Sequence, residues 1–258
     1  MKKGKVYLVG AGPGDPELIT VKGKRVLEEA EVVIYDRLVG DGILSYVGRD
    51  VERVFVGKED SFHTMPQEEI NRLIVDKAKT GRIVVRLKGG DPYIFGRGGE
   101  EAFLLGEEGI PFEVVPGVTA ASGVAAYAGI PLTDRRHSSA VTLVTGHKRA
   151  GCDMEEVNWK ALAQLDSTIV FYMGIKNLET ITANLIDNGR SADTPAAVVR
   201  RGTLPEQETV VGTLDNIAQK VEEARLRPPA LLVVGEVVGL RASLGWFEKA
   251  VIKKEGIA

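Results

Sequence analysis

Short apolar runs alternate with helical periodicity along the first half of the chain. Val6 to Val9, Val32 to Tyr35, Arg53 to Val56, Arg82 to Leu87 and Phe112 to Val115 predict strands. Between them, Val21 to Ala30 and Gln67 to Lys79 carry the spacing of amphipathic helices. Thr20 suits the N-cap of the first helix, Pro66 the opening turn of the second, and Gly81 the position just past its end. Repeated βα units of this kind specify a mainly parallel sheet covered by helices, with ligand sites beyond the carboxyl ends of the strands.

The second half has a different rhythm. Val141 to Val144 and Thr168 to Tyr172 predict strands separated by a helix. Ala196 to Arg200 and Glu208 to Val211 are joined by Gly202-Thr203-Leu204-Pro205-Glu206, which favours a hairpin and therefore antiparallel pairing. A helix near Leu214 to Arg225 leads through Pro228-Pro229 into a last strand, Ala230 to Val234. The reading is a two-domain α/β protein: a mainly parallel N-terminal domain over residues 1–115 and a mixed C-terminal domain over 116–258. The break falls at Pro116-Gly117, before an Ala-rich helix within Val118 to Ala128.

Composition narrows the class. The chain has 258 residues, 44% of them hydrophobic, and a formal net charge of −3, so it can bury one large or two modest cores and lacks the basic excess of a nucleic-acid binder. Its one cysteine, Cys152, excludes an internal disulfide framework and any multi-cysteine metal site, which makes a reducing, cytoplasmic compartment the default. The basic start, Met1 to Lys5, precedes too short an apolar run for a signal peptide, and no stretch approaches the roughly 20 apolar residues of a membrane span. The histidines, His63, His137 and His147, are scattered without metal-ligand spacing, so no metal is expected.

Two glycine-rich turns, each closing with Asp-Pro after a strand, carry the clearest chemistry. They are Gly10-Ala11-Gly12-Pro13-Gly14-Asp15-Pro16 and Gly89-Gly90-Asp91-Pro92. Glycine admits positive φ and lets a ligand approach the backbone, so two such turns at strand ends suggest two walls of one small-molecule cleft. The first turn is not a dinucleotide fingerprint, because Asp15 stands where the third glycine belongs, and no P-loop motif occurs. One such turn alone would read as a tight βα connection.

With their surroundings these turns resemble the tetrapyrrole methylase family, in particular the members that act on uroporphyrinogen III. The matching stretches are Val6 to Pro16, Val33-Ile34-Tyr35-Asp36-Arg37-Leu38-Val39, and Arg86 to Pro92 running on through Phe95-Gly96-Arg97-Gly98-Gly99-Glu100-Glu101. Val115 to Ala120, Ala128 to Thr133 and Phe171-Tyr172-Met173-Gly174 follow in the family's order. The resemblance implies a homodimer of two-domain subunits with S-adenosylmethionine in the cleft between the domains. It implies methylation of carbons 2 and 7 of uroporphyrinogen III to precorrin-2, which can feed sirohaem, cobalamin or haem d1. Dehydrogenation and metal insertion are then expected to belong to other proteins. On matching positions the cofactor would be held by Pro13, Gly89, Gly90, Asp91, Ile94, Thr119, Ala120, Met173 and Gly202. Asp36 and Lys58 match the general base and acid, and Arg97, Glu100, Arg135 and Arg37 match substrate-handling positions.

The chemistry is consistent with those implications. Methyl transfer from a sulfonium needs a carbon nucleophile held in line in a dry site, and orientation alone can supply roughly 7–11 kcal/mol. A base near the substrate is reasonable because a ring proton must leave, and Asp36 follows an apolar run at a strand end; otherwise it is a turn or capping aspartate. Lys58 reads equally as a proton donor or as a partner for substrate carboxylates. Eight substrate carboxylates require local cations, for which Arg37, Arg86, Lys88, Arg97, Arg135-Arg136 and Lys148-Arg149 are candidates. Glu100, one helical turn past Arg97, could orient it or meet a pyrrole N–H. Met173 is a core methionine by default and an apolar cofactor wall at its strand end. A methylase of the same fold acting on a later corrinoid, a modified histidine of a protein or RNA ribose, and a nonenzymatic nucleotide-binding module, are the competing readings.

Overall fold

The computed structural model describes residues 4–57, 65–146 and 157–248. The chain passes from one compact unit to a second between Ala120 and Ala121, just beyond the expected break at Pro116-Gly117. The stretch 116–119 stays with the first unit for a visible reason: Gly117 N–H donates to Asp91 Oδ2 at 3.0 Å.

In the first unit, β1 (Lys5–Gly10), α1 (Val21–Glu28), β2 (Val32–Tyr35), α2 (Asp41–Leu44), β3 (Glu52–Phe55), α3 (Gln67–Lys79), β4 (Ile83–Lys88), α4 (Gly98–Glu107) and β5 (Phe112–Val115) follow in order. The five strands form one parallel sheet in the order β3-β2-β4-β1-β5. Both faces are covered, which is why β2 and the start of β4, Ile83-Val84-Val85, are continuous apolar runs rather than alternating ones. Val6, Leu8, Ile34 and Val84 pack with Ile70 and Ile74 of α3 and Ala102 and Leu105 of α4. Val9, Val33, Val85 and Leu87 pack on the opposite face with Val26 and Leu27 of α1 and Ile43 of α2. Each of these Val, Leu and Ile side chains contributes about 1.5–3 kcal/mol of burial.

The second unit contains α5 (Ala120–Tyr127, from its second residue on), β6 (Val141–Thr145), α6 (Trp159–Gln164), β7 (Thr168–Tyr172), α7 (Leu178–Asp187), β8 (Pro195–Arg200), β9 (Glu208–Thr213), α8 (Ile217–Glu223), β10 (Ala230–Val234) and α9 (Arg241–Leu244). Its sheet order is β6-β7-β10-β8-β9, with β6 parallel to β7 and the other pairs antiparallel. The expected hairpin is β8 and β9, in register from Pro195↔Thr213 to Arg200↔Glu208. Ile169, Phe171, Ala196, Val198 and Leu232 pack with Leu162, Ile181, Leu185 and Ile217.

The two-domain α/β reading therefore stands, and the differences are local. Thr20 is the cap of α1, its Oγ1 accepting from Gly23 N–H at 3.0 Å, but the helix stops at Glu28 rather than Ala30. The amide of Ala30 turns back to Leu27 O, and the buried Ala30 leads into β2. Similarly α8 begins at Ile217, not Leu214, because the amides of Leu214 and Asp215 are taken by Thr194 O and Ala192 O. Among the described residues no helix is long and apolar enough to cross a membrane.

Candidate functional site

All five strands of the parallel sheet run the same way, so their carboxyl ends share one edge. There the two glycine turns meet. Gly12 and Gly90 exchange both backbone hydrogen bonds, Gly12 N–H to Gly90 O at 3.1 Å and Gly90 N–H to Gly12 O at 2.7 Å. Ala11 N–H adds a bond to Lys88 O at 2.8 Å. The segment after β5 closes in as well: a Cβ on Gly117 would lie 2.3 Å from Gly90 O, and one on Gly10 would lie 2.5 Å from Gly117 N. No side chain fits at either position.

Asp91 holds this junction. Its Oδ2 accepts from Gly117 N–H and its Oδ1 from Tyr93 N–H at 2.8 Å, so one carboxylate ties the turn after β4 to the segment after β5. Gly90 has φ +67° and, where its Cβ would be, only Ala120 N at 3.7 Å, so its backbone stays open to a ligand. Half-buried Pro13 and Thr119 lie on neighbouring turns. Leu38, Tyr93, Ile94 and Phe95 are exposed on the turns after β2 and β4. Close-packed backbone beside exposed apolar side chains makes Pro13, Gly89, Gly90, Asp91, Ile94, Thr119 and Ala120 the candidate positions for the nucleoside and sulfonium chain of S-adenosylmethionine.

Asp36 stands one residue beyond β2. Its Oδ1 accepts from Leu38 N–H at 3.0 Å and its Oδ2 from Arg86 Nη2 at 3.1 Å, and its side chain remains 26% exposed. The turn role weighed for it is real, and it leaves lone pairs facing outward. Arg37 is exposed beside it. Lys58 lies outside the described residues, as do Lys148, Arg149, Cys152, His63 and His147.

Arg97 precedes α4 with φ 58°, and its Nε and Nη2 donate to Glu100 Oε1 and Oε2 at 2.8 and 2.6 Å. Of the two roles weighed for Glu100, orienting Arg97 is the one seen, and the hydrogen bonds that Arg97 donates to Glu100 hold the guanidinium above its ordinary pKa.

Arg86 and Lys88 are not surface cations for a substrate, contrary to expectation. Both are buried in β4, and both donate to Glu101 Oε1, Arg86 Nε at 3.0 Å and Lys88 Nζ at 2.8 Å. Desolvation pulls the Lys88 pKa down, helped by the Arg86 charge and opposed by Glu101. The sequence held a signal for this anion. Gly98, Glu101, Ala102 and Leu105 form the buried stripe of α4, and a carboxylate on such a stripe demands buried cations.

In the second unit β6, β7 and β8 run in one direction, so Gly146, Met173 and Gly202 follow strands at one edge of its sheet. Met173 is not a core methionine; it is 49% exposed with φ 56°. Gly202 is buried, and a Cβ there would meet Val124 Cγ1 at 2.5 Å. Arg135 is exposed in a turn whose Asp134 pairs with Arg136 and His137, interactions that hold the Asp134 carboxyl far below the usual range.

Backbone strain marks the same places. Six non-glycine residues among those described have positive φ, and five of them lie at these turns: Phe95, Arg97, Met173, Arg201 and Thr203. Each costs on the order of 1–3 kcal/mol where the side chain is bulky, a cost retained mainly at functional turns. A separate groove of about 660 Å³ between α3 and α4, lined by Arg72, Asp76, Glu100 and Phe103 among others, includes none of the glycine-turn residues. Among the described residues no group of three or more His, Cys, Asp or Glu could hold a metal ion.

Comparison with known proteins places this geometry in context. The family model of the tetrapyrrole (corrin/porphyrin) methylases matches residues 5–218. A siroheme synthase of Pseudomonas paraeruginosa is 54% identical over 250 residues, 97% of this chain and 53% of its own length. The chain thus spans about half the length of the curated relatives it matches. A uroporphyrin-III C-methyl transferase from Thermus thermophilus, solved with S-adenyl homocysteine, is 42% identical with a TM-score of 0.79, over 92% of this chain and 100% of that one. A cobalt precorrin-4 methyltransferase shares 31% identity at a TM-score of 0.80, over 91% of this chain and 95% of its own.

Proposed function

The chain belongs to the tetrapyrrole methylases, and from that membership we propose that it transfers methyl groups from S-adenosylmethionine to carbons 2 and 7 of uroporphyrinogen III, giving precorrin-2. The observation that carries the reading is the shared sheet edge, where the bridged Gly12 and Gly90 turns after β1 and β4 stand at the carboxyl edge of the same parallel sheet as Asp36 after β2 and the turn that bears Arg97. The 42% identity to the Thermus thermophilus enzyme over its whole length supports the same substrate.

The donor supplies an electrophilic sulfonium methyl; the chain supplies position and charge. In the first unit the donor is held by the backbone at Gly89, Gly90, Asp91, Thr119 and Ala120 with Pro13 and Ile94; Met173 and Gly202 carry the same assignment by likeness to the family. Arg97, set by Glu100, takes a substrate carboxylate in the planar fork suited to it, with Arg37 and Arg135 as further cations. Asp36 accepts the proton lost from the ring after methylation, a role worth roughly 10²–10⁴-fold in rate. Lys58 acts as the matching acid. The enzyme works as a homodimer, a state supported by the family likeness.

Anaerobic incubation with uroporphyrinogen III and methyl-labelled S-adenosylmethionine, followed by mass analysis of the extracted tetrapyrrole, tests the proposal. A gain of two methyl groups is expected. Methylation of a later corrinoid precursor with none of uroporphyrinogen III would replace the substrate and keep the reaction class.

A further inference from the structure

Of the linked charges Asp36, Arg86, Lys88 and Glu101, only the half-buried Asp36 has a role in the chemistry proposed above. We propose that Arg86 and Glu101 are positioning residues, Glu101 clamping the Arg86 guanidinium so that Nη2 fixes the Asp36 carboxylate for proton transfer. The inference rests on the reading of Asp36 as the base.

The geometry starts in the strand register. Ile34 of β2 pairs with Arg86 of β4, so Asp36, two residues further on, emerges on the same face as the Arg86 side chain. Arg86 is held at four points. Its Nε donates to Glu101 Oε1, its Nη1 to Ile34 O at 3.3 Å and Leu87 O at 2.9 Å, and its Nη2 to Asp36 Oδ2. Only 4% of its side chain is exposed, so any other rotamer would break these bonds inside a packed core. Asp36 is thereby gripped from both sides, by Leu38 N–H on one oxygen and by Arg86 on the other.

Stability alone is a poor reason for this arrangement. The Glu101 side chain is fully buried; its Oε1 also accepts from Gln67 Nε2 at 3.1 Å, while its Oε2 has no partner among the described residues. A buried ion cluster with an orphaned oxygen costs more desolvation than an apolar core of the same shape. What it achieves is a rigid guanidinium, and catalytic groups held by locked, hydrogen-bonded neighbours keep a geometry that an ångström of drift would lose. Lysine in place of Arg86 would keep the charge and lose the planar fork.

The test is steady-state methylation of uroporphyrinogen III by Arg86→Lys and Glu101→Gln, each alone and in an Asp36→Asn background, with S-adenosylhomocysteine affinity and thermal unfolding measured on every protein. Each single change is expected to lower kcat roughly 10- to 100-fold while KM and cofactor affinity stay within about twofold. In the Asp36→Asn background neither is expected to lower kcat further. Multiplied losses in that background, unchanged kcat in the single variants, or a loss carried by KM would overturn the positioning role while leaving Asp36 as base. Wild-type turnover in Asp36→Asn alone would instead remove the base assignment, and this inference with it. Should Arg86→Lys fail to fold, Glu101→Gln, which keeps the buried shape, decides the question.

Discussion

The two sheets solve the problem of buried polarity in opposite ways. In the parallel sheet's unit, the buried polar side chains are charged: Arg86, Lys88 and Glu101. In the mixed sheet's unit they are neutral: Ser138, Ser167, Thr168, Thr182, Thr194, Thr203 and Gln207. Topology explains part of the contrast. A parallel sheet brings every strand's carboxyl end to one edge, so acids and cations from β2 and β4 converge with the glycine turns. In the mixed sheet only β6, β7 and β8 end together, and what they present is backbone shape, with Met173, Arg201 and Thr203 at positive φ. The difference is one of means: the first unit buries linked charges beside its strand ends, whereas the second buries only neutral polar groups among its described residues.

The contrast can be broken most severely at Glu101. Glu101→Ala leaves Arg86 and Lys88 without their shared anion, and urea unfolding is expected to show a loss of about 3–5 kcal/mol. Next in size is Asp36→Asn, which should cut single-turnover methylation by roughly 10²-fold or more, as removal of a general base does. Arg97→Ala should also abolish measurable methylation of the tetrapyrrole while calorimetry still finds cofactor bound; lost cofactor affinity would move Arg97 to the other site.

On the second sheet, Gly202→Ala forces a methyl against Val124, and a stability loss of about 1–3 kcal/mol is expected in the same urea assay. No loss would mean that the loop yields freely and that its strain carries no function. The smallest effect belongs to the partly exposed Glu113, paired with two lysines. Hydrogen bonds from Lys22 and Lys5 hold the Glu113 carboxyl down to about 2 in the folded state, against an ordinary 4.5. A depressed carboxyl stabilises the fold above its unfolded pKa, and that contribution is lost as pH falls from 4.5 toward 2. Glu113→Gln should therefore flatten acid unfolding in that window by well under about 1 kcal/mol, since solvent screens the partly exposed pair.

Much of the architecture was legible because it rests on local pattern. The strand runs, the Thr20 cap and the β8–β9 hairpin each depend on neighbouring residues. The glycine turns were legible as neighbours at strand ends, but their direct Gly12–Gly90 bridge was not, since it forms only once β1 and β4 lie side by side. The Arg86–Glu101–Asp36 network was hidden for the same reason. Residues from β2, β4 and α4 meet there, and along the sequence Arg86 and Lys88 look like any solvated cations. Gly202 was assigned by likeness alone; the need for glycine against Val124 is a packing fact that spacing does not encode.

Titrating S-adenosylhomocysteine calorimetrically into Asp36→Asn and Gly202→Ala side by side tests most directly the proposed roles of Asp36 in proton transfer and Gly202 in donor binding. The account predicts affinity within about twofold of wild type for Asp36→Asn and at least about tenfold weaker binding for Gly202→Ala, a tenfold change being 1.4 kcal/mol. Equal weakening in both, or the reverse order, would contradict it.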